Sequence, residues 1–408
     1  MPSLHNNNTN NNNTTSKFNK REDDIVVVSA LRTPLCRARK GGLAKVFPHE
    51  LLEAVLKATL AKFPSLNPSD IDDLCVGNVL LPPSGFAALR MAQLQSGIPA
   101  STSLQTVNRQ CASGLEAVAQ IANSLACGSI RVGIAAGVES MSLTPMHKME
   151  PPAMNWDVVK ANTKTTKAMD CLIPMGITSE NVVKTYGLER GPLDDFAAQS
   201  HQKAARARAA GKFDSEIVPV GSVTQDDGIR PTTTYETLSQ LKPVFDKTNG
   251  VTTAGNSSQT TDGAACVLLV TRREAKTRGL PILGIWRGYA TKGVPPKIMG
   301  IGPAVAIPAV LSQVGLTIDD IDIFEINEAF ASQATWSVNE LQIPAHKVNP
   351  NGGAIALGHP LGATGARMVA TLLHELHREK KRYGIISMCI GTGMGAAAVL
   401  EVEPQSSL

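Results

Sequence analysis

The run Asn349-Pro350-Asn351-Gly352-Gly353-Ala354-Ile355-Ala356-Leu357-Gly358-His359-Pro360-Leu361-Gly362-Ala363-Thr364-Gly365 sets five glycines around one histidine. Val348-Asn349 precedes the turn, a helix begins near Ala363, and an apolar strand candidate follows at Ile385–Cys389. The same succession occurs earlier: Val107-Asn108, a turn, a helix beginning near Cys111 with Leu115, Val118, Ile121 and Leu125 at helical spacing, and a strand at Ile134–Ala136. Two such units predict a duplicated α/β fold with buried strands, and they argue against an all-β fold or a helical bundle.

Outward from these units the alternation continues. Ile25–Val28 is the first strand candidate, and Leu51, Leu52, Val55, Leu56 and Phe63 follow a helical spacing. Apolar runs at Leu74–Val76 and Val79–Leu81 end at Pro82-Pro83. From about 141 to 264 the pattern loosens into Pro, Met, Thr and charged residues, with helical pieces around Asp194–Ala210. This predicts an insertion resting on the first half, of the kind where binding surfaces are commonly built. Residues 1–24, with Asn6–Asn8 and Asn10–Asn13, bury almost nothing and are expected to be a disordered tail. The expected domains are then 25–279, including the insertion, and 280–403. A tail at 404–408 ends in Ser406-Ser407-Leu408, which approximates a Ser-Lys-Leu peroxisomal address without its basic residue; an ordinary frayed terminus is the alternative.

The 408 residues carry 39 Lys+Arg against 35 Asp+Glu, too even a balance for nucleic-acid binding by bulk charge. No run approaches the ~18 consecutive apolar residues of a spanning helix, so no integral membrane segment is expected. The seven cysteines are odd in number and lack C-x-x-C spacing, which points to reduced thiols and offers no metal-ligand pattern.

Four segments carry chemistry. Cys111 opens a helix, where unpaired N–H groups favour thiolate and are expected to lower a thiol pKa from about 8.5; the alternative is a small buried side chain. His359 lies among glycines that leave space beside an imidazole suited to proton transfer, and neither G-x-G-x-x-G nor a Walker spacing is present. Cys389 ends an apolar strand before Gly391-Thr392-Gly393, whose amides suit an oxyanion hole or merely a sheet corner. Asn327, after the strand candidate Ile321–Ile326, points into a cleft or caps a helix.

Taken in order, Cys111-Ala112-Ser113-Gly114, Asn327-Glu328-Ala329-Phe330, Gly352–Pro360 and Cys389-Ile390-Gly391-Thr392-Gly393 closely resemble the thiolase family, over nearly everything from Ile25 to Glu403. Val107–Cys111 and Cys171–Val182 resemble its peroxisomal 3-ketoacyl-CoA branch most. The resemblance implies a five-layered αβαβα fold of two similar halves with a loop domain inserted in the first. It implies Cys111 as acyl-accepting nucleophile, His359 as its base, Cys389 as acid and base, and Asn327 as holder of an oxyanion-site water. It also implies that the N–H groups of Cys111 and Gly391 form the second oxyanion site. CoA and 3-ketoacyl-CoA are the implied partners, with CoA a co-substrate and no tightly bound cofactor or metal. Ser258 is matched to a residue facing the pantetheine arm, and Arg230 is a candidate for the nucleotide end. A homodimer or tetramer is implied, in the peroxisome or alternatively the cytoplasm. Two other readings stand beside this one. A biosynthetic acetoacetyl-CoA thiolase is disfavoured by Pro174, where such enzymes usually carry histidine. A non-catalytic acyl-CoA-binding scaffold should have lost Cys111, His359 or Cys389. A carrier-protein condensing enzyme, with two histidines or His and Asn beside its cysteine, is disfavoured by Cys389.

Overall fold

The computed structural model describes residues 16–148 and 152–403. Its strands are β1 (Ile25–Arg32), β2 (Cys36–Arg37), β3 (Asp73–Gly77), β4 (Ser103–Val107), β5 (Val132–Ser140), β6 (Thr261–Thr271), β7 (Gly284–Gly293), β8 (Ile323–Ile326), β9 (Tyr383–Ile390) and β10 (Met394–Glu401). They pair in the order β4-β3-β5-β6-β1-β7-β10-β9-β8, with β2 on β6. In the first half β3 runs parallel to β4 and β5, and β6 lies antiparallel between β5 and β1. The second half repeats this. Phe324 of β8 bridges Val348 in parallel, β8 is parallel to β9, and β10 lies antiparallel between β9 and β7. Only Val26↔Ile285 and Val27↔Gly284 join the halves along β1 and β7.

Period-two alternation on buried strands assigns each face to a layer. Val26 and Val28, with Cys266, Leu268 and Val270, face outward onto Leu51, Leu52, Val55 and Leu56 of helix Pro48–Lys62 and Leu89 and Ala92 of helix Gly85–Gln95. Val27, Val267 and Leu269 face inward onto helices Ser113–Ala126 and Leu361–Arg378. The second sheet faces those same two helices with Ile386, Met388, Ala396, Ala398 and Leu400. Its other face, with Ile385, Ala397 and Val399, covers Ala306, Ile307, Val310 and Leu311 of helix Gly302–Val314. The result is the expected five layers. Pro296–Val314 is the one stretch among the described residues long and apolar enough to cross a membrane, and this packing accounts for its hydropathy.

The two central helices touch backbone to backbone. A Cβ on Gly114 would lie 2.6 Å from Gly362 O and 2.9 Å from Ala366 N, and one on Gly365 would lie 2.2 Å from Leu115 N. Gly114→Ala gains about 1 kcal/mol of helix propensity. The added methyl must nevertheless push one helix off the other, and overpacking typically costs about 1–3 kcal/mol. The clash falls on backbone that has no rotamer to yield, so the steric cost wins. We expect a lower melting temperature for Gly114→Ala, measured by thermal unfolding; an unchanged or raised value would contradict this packing.

Three expectations are corrected. Residues 16–24 belong to the fold. Ser16 Oγ donates to Glu401 at 2.8 Å, the Lys17 N–H donates to Tyr383 Oη at 2.9 Å, Arg287 lies over the Phe18 ring, and buried Asp24 accepts from Arg272 and Arg287. The strap is held by partners from β7, β9 and β10, distant in the chain and invisible to local composition. Residues 1–15, with the Asn-rich run, and the tail 404–408 lie outside the described residues. The insertion, which leaves the sheet after Ser140 and returns at Thr261, packs largely on the second half. Leu193, Ala197 and Ala198 meet Ala331 and Ile355, Val182 meets Ile298 and Ile301, and Ala204 and Ala207 meet Ala356 and Leu357. The apolar run Val79–Leu81, which continued the alternation in the sequence, is a bend and adds no strand.

Candidate active site

Cys111 stands on an elbow between β4 and helix Ser113–Ala126. Gln110 takes a left-handed conformation (φ 49°), and its N–H donates to Asn108 Oδ1 at 2.9 Å. Ser113 Oγ accepts from the Arg109 N–H at 3.0 Å and donates to Gln110 O at 2.6 Å, closing the turn. The half-buried Cys111 side chain packs against Val79, Leu80, Met141 and Leu361, the last only two residues beyond His359. Burial pushes its thiol up to about 11, against the opposing pull of the Gly391 and Cys111 N–H groups. The expected lowering by the helix terminus is therefore overturned: loss of water outweighs the aligned amides.

His359 enters its helix by the same kind of elbow. Gly358 (φ 106°) leaves no room for a Cβ, which would fall 2.2 Å from Thr261 Oγ1. The His359 N–H is shared between Gln259 O and Thr261 Oγ1, each at 3.1 Å. Thr364 Oγ1 donates to Pro360 O at 3.1 Å and lies 2.7 Å from His359 Nδ1, so it accepts there and assigns the ring proton to Nδ1. Nε2 keeps its lone pair and faces Asn327 Nδ2 at 3.4 Å. Asn327 Oδ1 is buried and accepts from no described residue. Burial, with the Arg367 charge as a second cause, lowers the imidazole pKa to about 3, so His359 is neutral at working pH.

Cys389, fully buried at the end of β9, packs among Met175, Met299, Ala329 and Phe330. Its thiol is raised well above the ordinary value by burial and then by the neighbouring Cys111 sulfur, so it is protonated. Gly391 follows in the turn to β10 and directs its N–H to Cys111. Cys389 and Gly391 are thus brought to Cys111, Asn327 is brought to His359, and Leu361 of the His359 helix packs on Cys111. The Ser258 N–H donates to Ala329 O at 3.0 Å, which seats this half-buried serine on the same wall. Arg230 is not brought in: it is exposed, and its backbone N–H donates to His201 Nδ1 at 3.2 Å.

Against known families, residues 25–273 match the "Thiolase, N-terminal domain" and residues 280–402 the "Thiolase, C-terminal domain". The chain belongs to the thiolase family. Among similar thiolases, the peroxisomal 3-ketoacyl-CoA thiolase of Homo sapiens is 56% identical over 388 residues, covering 92% of this chain and 90% of that protein. The peroxisomal 3-ketoacyl-CoA thiolase 2 of Arabidopsis thaliana is 52% identical, covering 92% and 83%. The crystal structure of the dimeric peroxisomal thiolase of Saccharomyces cerevisiae superposes with a TM-score of 0.88 at 46% identity, covering 94% of this chain and 99% of that one. The human mitochondrial 3-ketoacyl-CoA thiolase in complex with CoA superposes with a TM-score of 0.84 at 35% identity, covering 93% and 98%.

Sequence reasoning missed several residues of this thiolase site. Thr364, which sets the His359 tautomer, lies inside the glycine-rich run and was findable there. Thr261 and Gln259, which hold the His359 N–H, are about a hundred positions away and carry no local signal. Buried Glu328 accepts from Ser200 at 2.6 Å, Asn349 at 2.8 Å and the Ile355 N–H at 3.1 Å, and so fixes the loop leading to His359.

Proposed function

We propose that this thiolase cleaves 3-ketoacyl-CoA with CoA, giving acetyl-CoA and an acyl-CoA shortened by two carbons, as a step of fatty acid β-oxidation in the peroxisome. The observation that carries the reading is the setting of three groups: Cys111 beside the Gly391 N–H and the Cys389 sulfur, and a His359 whose Nε2 is left free by the Thr364 contact at Nδ1 and faces Asn327. A free imidazole nitrogen can accept a proton, and a protonated thiol can give one.

Catalysis then takes two covalent half-reactions. His359 Nε2 accepts the Cys111 thiol proton, and the sulfur attacks the 3-keto carbon. The resulting oxyanion accepts from the N–H groups of Cys111 and Gly391. As it collapses, the C2–C3 bond breaks and its electron pair goes to the acetyl-CoA enolate. That enolate oxygen is steadied by protonated His359 and by a water held on Asn327 Oδ1, whose unpartnered acceptor suits the task. Cys389 gives its proton to C2, and acetyl-CoA leaves. The Cys389 thiolate then takes the proton of incoming CoA, whose sulfur attacks the acyl-Cys111 carbonyl; as that adduct collapses the bond to Cys111 Sγ breaks, the shortened acyl-CoA is released, and the Cys111 thiolate takes its proton back from His359. Ser258 is assigned to the pantetheine arm. Arg230 is kept only as a contact for the nucleotide end of CoA, outside the chemical cluster.

A homodimer fits the sheet. β4 closes one end with a free edge, its Ser103 and Thr106 exposed, and a second copy pairing there would extend the ladder. The Saccharomyces relative is described as dimeric.

The test is turnover of 3-ketooctanoyl-CoA against acetoacetyl-CoA with CoA as acceptor. Higher kcat/KM on the longer substrate is expected. Activity confined to acetoacetyl-CoA would replace the degradative reading with the biosynthetic one.

A further inference from the structure

Glu139, the next-to-last residue of β5, has no exposed surface, and its carboxylate accepts four hydrogen bonds. Oε1 accepts from the Leu80 N–H at 3.1 Å and Asn78 Nδ2 at 3.2 Å; Oε2 accepts from the Val79 N–H at 3.1 Å and the Gly362 N–H at 3.0 Å. Gly362 lies in the first turn of the helix that starts just after His359, so the carboxylate also meets the positive end of that helix. Val79, Leu80 and Leu361, the residues so tied or their chain neighbours, pack on Cys111 together with Met141. Strand register gives the position a second meaning. Glu139 stands opposite Gly263 in the β5–β6 pair as Cys389 stands opposite Gly395 in the β9–β10 pair, so the two occupy equivalent places in the two halves.

We propose that Glu139 is a positioning residue for the thiolase reaction, a carboxylate clamp that registers the His359 helix against the wall behind Cys111. The inference rests on the thiolytic reading of the site. Four donors and no acceptor call for the ionised form: a proton on either oxygen would meet an N–H and displace a hydrogen bond. The carboxylate nevertheless feels its burial, which raises its pKa to about 7. Its charge also opposes ionisation of the Cys111 thiol.

Glu139→Gln keeps the shape but turns an NH2 group toward two of the four donors. In the variant, kcat for thiolysis should fall about 10²-fold, the scale of a misplaced catalytic group. KM for CoA should stay within about threefold, since no substrate contact is lost. Iodoacetamide alkylation of Cys111, followed by intact mass across pH, should show its midpoint moved to lower pH because a nearby negative charge is gone. Wild-type kcat in Glu139→Gln would overturn the proposal, as would a fall in kcat with an unmoved alkylation profile, which marks simple scaffolding. Should that variant fail to fold, Glu139→Asp decides. It keeps the charge but falls short by one methylene, so reduced kcat at unchanged KM supports the clamp and wild-type kcat refutes it. A wild-type enzyme without thiolysis would instead sink the functional reading, while the alkylation profile would still report on Glu139.

Discussion

Cys111→Ser is expected to take no acyl group from 3-ketoacyl-CoA, so that intact mass after incubation shows the unmodified chain, and thiolytic turnover is expected to fall by on the order of 10⁴-fold or more. The site is built around a polarisable sulfur. The elbow formed by Asn108, Gln110 and Ser113 holds it beside the Gly391 N–H, and the wall of Val79, Leu80 and Leu361 keeps water from one side of it. Serine fits that space and leaves the fold intact. Its hydroxyl is a far weaker acid than a thiol, and His359, lowered to about 3, is a weak base. The pair that can exchange a proton with sulfur during attack cannot do so with oxygen. CoA binding should persist, because no proposed CoA contact is altered, and retention of CoA affinity separates lost chemistry from lost structure. Undiminished acylation of the Cys111→Ser chain would remove Cys111 from the mechanism.

The fold was legible where chemistry and periodicity coincide. The elbows at Cys111 and His359 lie next to strands and helices with clear apolar spacing, and the duplication follows from reading them side by side. Cys389 and Asn327 were readable as strand ends. What escaped depends on contacts between distant segments. Residues 16–24 are polar by composition, yet Asp24 is buried because Arg272 and Arg287 reach it from elsewhere in the chain. The insertion has helical stretches in its sequence, but nothing local tells that Ala197 and Ala204 face the loop preceding His359. The thiol of Cys111 was misjudged for a related reason. A helix terminus can be recognised in one dimension, whereas the loss of water that outweighs it needs the packed neighbours. Glu139 shows no special spacing and gains its importance only when the two halves meet, where the Gly362 N–H reaches it.

His359→Ala separates the contribution of the imidazole from that of the elbow. With burial holding the Cys111 thiol near 11, the thiolate fraction at pH 7 is on the order of 10⁻⁴. Such a sulfur alkylates slowly on its own, and in the proposed mechanism His359 Nε2 takes up the thiol proton as the sulfur attacks, while the Gly391 and Cys111 N–H groups favour the developing thiolate. Removing the ring takes that path away. Iodoacetamide alkylation of Cys111 near pH 7 should fall about 10²- to 10⁴-fold, the range set by loss of a positioned base. The rate should then rise only as pH climbs toward about 11, where the thiol ionises unaided. Thiolysis should fall more than alkylation, because His359 also faces the enolate oxygen, a demand iodoacetamide does not make. The direction of the pH dependence discriminates further: an imidazole whose pKa lies near 3 stays neutral from mildly acidic pH upward, so the wild-type alkylation rate should not collapse between pH 7 and 5 through protonation of His359. If Cys111 in the His359→Ala variant alkylates at the wild-type rate at neutral pH, the sulfur is activated by the helix terminus and the Gly391 amide alone, and the base must be sought elsewhere.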